Sequence, residues 1–243
     1  TKNENRCWGY YPPSPPACGA IFTGGMTMTV ITISRELGSE GSTIAQRVAA
    51  EMGYRLVTKT TFEKVLHQYG LIQLDELYTS VPSLWARIDI TNLELVSRLD
   101  KIILGFARLD KVVLLGRGGY AALNEYADVL NVRIQAPFQA RVKRVLEKEG
   151  MDNLAQAEKM VLKNDKARAV FVQGFYGVDF YDTRQFQLVL DTEVIPVDTA
   201  VAWIVESAQL MENRSFAGAK TTQEIVVGPV LKDAIDQVLM MPV

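Results

Sequence analysis

Between Val30 and Gly53 the chain reads VITISRELGSEGSTIAQRVAAEMG, and few folds accommodate that order of residues. Val30, Ile31 and Ile33 form a short β-branched run, the kind found in a central parallel strand covered on both faces. A glycine-bearing turn follows, and then Ile44, Val48 and Met52 recur every four residues, which places them on one face of a helix. Gly53 suits the end of that helix. A buried strand that turns directly into a helix commits the chain to crossover connections, and so to a layered α/β domain.

The remaining periodicities agree. YRLV reads as a second short strand, KVVLL (Lys111 to Leu115) as the next, NVRIQA (Asn131 to Ala136) as another and FQLVLDT (Phe186 to Thr192) as the last. Phe138, Val142, Val145 and Leu146 mark one helix face, Leu154, Met160 and Val161 a second, and Val201, Ile204, Val205 and Ala208 a third. Residues 60 to about 108 are mostly helical, with a break at TSVPS where Pro82 suits a new start, and form an expected insertion beside the substrate. Residues 1–25 carry PPSPP and are expected to be a flexible extension, with Met26 and Met28 as plausible natural starts. The tail, residues 215–243, holds EIVVGPVLKDAIDQVLMM, read as a strand and a short apolar helix that packs on the body or on a second subunit.

Composition narrows the function. A chain that is 48% hydrophobic can bury a core, and 26 basic against 28 acidic residues set up no field for nucleic acid or an anionic membrane. Cys7 and Cys18 both lie in the N-terminal segment and His67 is the single histidine, so neither a disulfide framework nor a zinc cluster is expected in the body. No apolar run is long enough to cross a bilayer and no secretion signal is evident, so a cytoplasmic location is expected. Anion binding must therefore be local.

Three stretches could supply it. At the strand-to-helix turn, Gly38 and Gly41 would let backbone approach a phosphate at the positive end of the helix, with Ser42 and Thr43 offering hydroxyls to phosphate or magnesium. Against the pattern G-x-x-x-x-G-K-[ST], Arg35 stands at the first glycine, Glu40 at the second and Gly41 at the lysine, so an ordinary turn capped by Ser42 is the alternative. Arg35 could supply the missing cation from the other side of the loop. In VVLLGRGGY, Arg117 follows the carboxyl end of a strand, where α/β sheets bind ligands. In AEKMVLKNDKAR, Lys159, Lys163 and Lys166 share a helix face with Arg168 just beyond, and Arg184 follows in an aromatic loop.

Taken in order, ITISRELGSEGSTIA, VVLLGRGGYA, NVRIQAPFQARVKRV, KNDKARAVF and FQLVLDT resemble the cytidylate-kinase-like family of nucleoside monophosphate kinases. The resemblance implies a P-loop NTPase-like three-layer α/β sandwich over residues 26–214, with a parallel sheet, a helical nucleotide-binding insertion and a lid at about 153–184. It implies transfer of the ATP γ-phosphoryl group to CMP, dCMP or a related small acceptor, with ATP and Mg2+ required. By position, Arg35, Gly38, Ser39, Gly41, Ser42 and Thr43 would hold the ATP phosphates, with Thr43 as the metal ligand. Arg117, Lys166 and Arg168 would be catalytic, and Arg117, Asp165 and Arg184 would meet the acceptor. Gly118 and Leu115 stand where the family carries acidic residues, and Gly41 replaces the lysine. A nucleotide or phosphometabolite sensor on the same fold, and a scaffold acting through its tail, are the competing readings.

Overall fold

The computed structural model describes residues 29–68 and 93–240. The proline-rich N-terminal segment and the TSVPS break of the expected insertion lie outside the described residues. In chain order the elements are β1 (Val30–Arg35), α1 (Gly41–Met52), β2 (Arg55–Val57), α2 (Lys59–Gln68), α3 (Leu93–Ala107), β3 (Val112–Leu115), α4 (Gly119–Ala122), β4 (Val129–Gln135), α5 (Phe138–Lys148), α6 (Leu154–Tyr176), β5 (Leu188–Asp191), α7 (Val197–Glu212) and α8 (Pro229–Met240). All strand pairs are parallel, in the order β2-β3-β1-β4-β5, with Ile33 of β1 opposite Leu115 of β3 and Val132 of β4.

Alternate residues of the inner strands feed two separate cores, because successive side chains leave opposite faces of a sheet. Ile31, Ile33, Val113 and Leu130 pack against Ile44 and Val48 of α1 and Val201 and Ile204 of α7. Val30, Val112, Leu114 and Val129 pack against α2, α3, the end of α6 and α8, through Val65, Ile102, Phe106 and Ile235. The result is three layers, helices on both faces of one parallel sheet. Truncating a fully buried side chain such as Ile31 or Phe106 would cost about 2–5 kcal/mol.

The tail packs on the body. Its expected strand does not form: a 3-10 turn at Thr222–Glu224 and irregular backbone lead directly into α8. Asp128 holds this turn, accepting from the Thr222 amide at 2.9 Å and from its hydroxyl at 2.6 Å. Farther on, α8 lies so close to α3 that a Cβ on Gly105 would stand 2.7 Å from Ile235 Cδ1. No helix among the described residues is long and apolar enough to cross a membrane.

Placement of β1 at the centre of the order has a direct consequence. The chain leaves β1 toward β2 and β3 on one side, then crosses to β4 and β5 on the other. A crevice therefore opens beyond the carboxyl ends of β1 and β3.

Candidate active site

The loop Glu36–Glu40 leaves β1 with its carbonyls tied outward. Arg141 Nη1 donates to the Leu37 carbonyl at 3.2 Å, Arg144 Nη1 to the Gly38 carbonyl at 3.2 Å, and the Thr192 hydroxyl to the Ser39 carbonyl at 3.0 Å. Gly38 adopts φ 80°, and a Cβ there would meet the Arg141 carbonyl oxygen at 2.5 Å, so only glycine lets the loop lie against α5. Glu40 caps α1 at φ 59° without a side-chain cap bond, so the N-cap is Glu40 rather than Ser42. Among the described residues no acceptor meets the amides of Gly38, Glu40 or Gly41. With the first amides of a helix unpaired by construction, the loop forms a cradle of N–H groups whose polarity suits an anion.

Buried charge fixes the cradle in place. Glu36 pairs with Arg133 at 3.2 Å and with Arg141 at 3.3 Å, while Asp165 of α6 pairs with Arg141 at 2.6 Å and Arg168 at 3.4 Å. The Asp165 carboxylate also accepts from the Leu37 amide at 3.3 Å. Arg133 lies under the Phe180 ring, 4.0 Å from its centroid, and burial lowers its pKa although Glu36 opposes the shift.

At the end of β3 the backbone turns differently. Gly116, Arg117 and Gly118 are consecutive left-handed residues, at φ 76°, 57° and 69°. A Cβ on Gly116 would fall 1.9 Å from Arg35 Nη1, and one on Gly118 would fall 2.4 Å from Tyr176 Cε2. The Arg35 guanidinium thus lies on one glycine and the Tyr176 ring on the other.

The end of β1, through Ser34 and Arg35, and the turn after β3 open into a cavity of about 500 Å³. Its floor carries Arg35, Arg117 and Arg168, with Tyr120 in the wall, while Lys59, Lys159 and Lys163 are exposed at its mouth. Among the described residues, no carboxylate lines it. Burial, then repulsion from Arg168 and Arg117, lowers Arg35 to about 9, and Arg35 Nε is buried without an acceptor. Arg35 stays charged at pH 7, so the crowding creates a demand for a counter-anion. Burial also lowers the pKa of Arg168 and pushes the Tyr120 phenol up to about 12, which keeps it a hydrogen-bond donor. An oligophosphate answers this arrangement, because each phosphate oxygen accepts several charge-assisted hydrogen bonds.

The sequence-derived candidates separate into groups. Arg35, Arg117 and Arg168 converge on the cavity, and Gly38, Gly41, Ser42 and Thr43 belong to the cradle. Ser39 is fully buried, and its hydroxyl donates to the Glu36 carbonyl at 2.9 Å. The Thr43 hydroxyl donates to Glu40 at 3.0 Å. Asp165 faces Arg141 and the loop rather than the cavity. Lys166 lies off the lining stripe of α6, whose spacing selects Gln156, Lys159, Lys163 and Ala167 instead. Arg184 is exposed, clasped to Asp182, whose carboxyl that contact holds down at about 2.

Sequence reasoning missed Glu36, Arg133, Arg141, Arg144, Tyr120 and Lys59. A signal existed for Arg133, a charge inside an otherwise buried strand, which rarely stands without a partner. Arg141 and Arg144 offered only a basic helix start. For Tyr120 and Lys59 there was no sequence signal.

The model of the cytidylate kinase-like family matches residues 30–194. The cytidylate kinase of Ignicoccus hospitalis is 32% identical over 181 residues, covering 73% of this chain and 97% of that protein. The cytidylate kinase of Pyrobaculum aerophilum is 27% identical over 175 residues, covering 72% and 89% respectively. A crystal structure of an uncharacterised protein from Eubacterium ventriosum shares the fold, with a TM-score of 0.61 at 24% identity over 76% of this chain and 99% of the other. Matched by the family model along two thirds of its length and 32% identical to a cytidylate kinase covered almost end to end, the chain belongs to the cytidylate kinase-like family of the P-loop kinase superfamily.

Proposed function

We propose that the protein transfers the γ-phosphoryl group of ATP to CMP, dCMP or a related small phosphorylated acceptor. The observation that carries this reading is the convergence of Arg35, Arg117 and Arg168 on one cavity beside an uncapped helix N-terminus. Phosphoryl transfer asks little covalent chemistry of the protein. It asks for two oxygens held in line and for charge where the transferring group becomes most anionic.

Arg35 answers the loss of the P-loop lysine. A Cβ on Gly41, at the lysine position, would stand 2.5 Å from Arg35 Cβ and 3.0 Å from its Cγ. The arginine stem thus fills the space where a lysine side chain would start, and its guanidinium runs on over Gly116 into the cavity. In this reading Arg35 spans the donor phosphates, Arg117 binds the acceptor phosphate and Arg168 neutralises charge between them.

The residues present fit magnesium in a limited way. The described residues hold no group of three or more metal-ligating side chains. Thr43, with Glu40 at 3.0 Å, offers a hydroxyl and a carboxylate beside the cradle, enough for an ion that takes its other ligands from phosphate and water. When bound, the ion would neutralise charge on the donor phosphates; positioning falls to the arginines.

The test is ADP formation from ATP with each nucleoside monophosphate. Wild type should turn over with at least one acceptor, and Arg35→Ala should lose about a hundredfold or more in kcat, as expected for a transition-state cation. Turnover that is absent, or indifferent to Arg35, ends the proposal. The lack of a carboxylate in the described lining favours a second reading, a nucleotide sensor. Its mark would be a rise in melting temperature with ATP or CMP in the absence of turnover.

A further inference from the structure

The turn that presents Arg117 is held by contacts that come from elsewhere in the chain. A non-glycine residue in the left-handed region costs about 1 kcal/mol, and Arg117 accepts this between two glycines in the same region. Closing hydrogen bonds run from the Gly116 amide to the Ile33 carbonyl and from the Gly119 amide to the Gly116 carbonyl, both at 3.0 Å. They fix the ends of the turn. Its outer side is closed by the Tyr176 ring on Gly118.

Tyr176 is well placed for this work. It is the last residue of α6, the helix that also carries Arg168, and its hydroxyl donates to Asp100 Oδ1 of α3 at 2.8 Å. Burial, together with the Asp100 charge and bond, pushes the Tyr176 phenol far above its ordinary range, so it remains a donor at any ordinary pH. Phe171 meets the same ring edge-on at 6.2 Å. The ring is therefore held on α6, on α3 and on the turn at once.

We propose that Tyr176 is a positioning residue: anchored by its hydrogen bond to Asp100, its ring keeps Gly116–Gly118 in the shape that delivers Arg117 to the cavity at a set distance from Arg168. This rests on the reading of the cavity as a phosphate site. It assigns to one aromatic side chain the spacing of two guanidiniums that come from different parts of the chain. It also gives Gly118 its reason, since any side chain at that position would displace the ring that braces Arg117.

The experiment is calorimetric titration of the full chain with inorganic tripolyphosphate, with thermal melts run alongside. Tyr176→Phe, which keeps the ring and loses the anchor, should weaken binding about tenfold. Asp100→Asn, whose carbonyl still accepts, should bind as wild type does. In an Arg117→Ala background, Tyr176→Phe should have no further effect. Equal weakening in both backgrounds would show that the hydroxyl serves the fold generally and would overturn the proposal, as would an unchanged affinity of Tyr176→Phe. Should Tyr176→Phe fail to melt cooperatively, Asp100→Ala removes the acceptor while leaving the ring and is judged by the same two criteria. Failure of tripolyphosphate to bind wild type removes the phosphate reading itself, and this inference with it, a result distinct from binding that ignores Tyr176.

Discussion

The loop after β1 and the turn after β3 follow neighbouring parallel strands but are built on different physics. The first is held by charge and hydrogen bonds: Arg141, Arg144 and Thr192 take its carbonyls, while Glu36 and Asp165 tie it to β4, α5 and α6. The second is held by shape, with two glycines pressed by the Arg35 guanidinium and the Tyr176 ring. Tying the carbonyls outward leaves amides to face an anion. With its ends fixed by two backbone hydrogen bonds, packing on the two glycines suffices where one side chain has to be aimed. A backbone cradle must be satisfied polar group by polar group, whereas an aimed arginine needs only a rigid stem.

That contrast can be broken by mutation, most severely in the loop. Asp165→Ala leaves Arg141 and Arg168 buried without their shared carboxylate and should cost about 3–5 kcal/mol in urea melts, with tripolyphosphate affinity lost as the loop loosens. A loss under 1 kcal/mol would mean the charge network is ornamental. Gly118→Ala combines left-handed strain with the clash on Tyr176 and should cost about 2–3 kcal/mol, while the hydrogen-bonded amides of Glu36, Leu37 and Ser39 in the loop after β1 keep their protection in hydrogen exchange. If protection in the loop falls as well, the two turns are one unit.

Smaller changes sharpen the contrast. Arg144→Ala frees the carbonyls of Gly38 and Thr192 and should cost about 1–2 kcal/mol, with a matching rise in the KM for ATP and little change in that for the acceptor. At the mouth, Lys163→Ala should weaken tripolyphosphate binding about threefold at low salt, and Lys166→Ala, one stripe away on the same helix, should leave it unchanged. Equal effects would mean that α6 acts only through its overall charge.

Most of the layered fold could be read from the chain because its signals are local. The run at Val30 to Ile33, the four-residue spacing of Ile44, Val48 and Met52, and the strands at KVVLL, NVRIQA and FQLVLDT all appear where expected. EIVVG misled because β-branched residues fit a strand only when a neighbouring strand is there to pair with, and at that point the tail is already held by Asp128. Lys166 misled for a geometric reason. A spacing of three and four selects a broad face, and only contact with the sheet decides which edge of that face lines a cavity. Asp165 was legible as charged lid chemistry, but its partner Arg141 lies 24 residues away and cannot be inferred from spacing.

By itself the sequence determined a parallel α/β sheet, a glycine-bearing turn between β1 and α1, and the presence of arginines near strand ends, because these follow from side-chain period and backbone freedom within a few residues. Only the tertiary structure decided that the Arg35 stem stands where a side chain on Gly41 would start, that a side chain on Gly118 would meet the Tyr176 ring, and that Arg35, Arg117 and Arg168 share one cavity. Those facts depend on side chains from distant segments entering the same few ångströms, and no periodicity along a chain encodes which of them will meet.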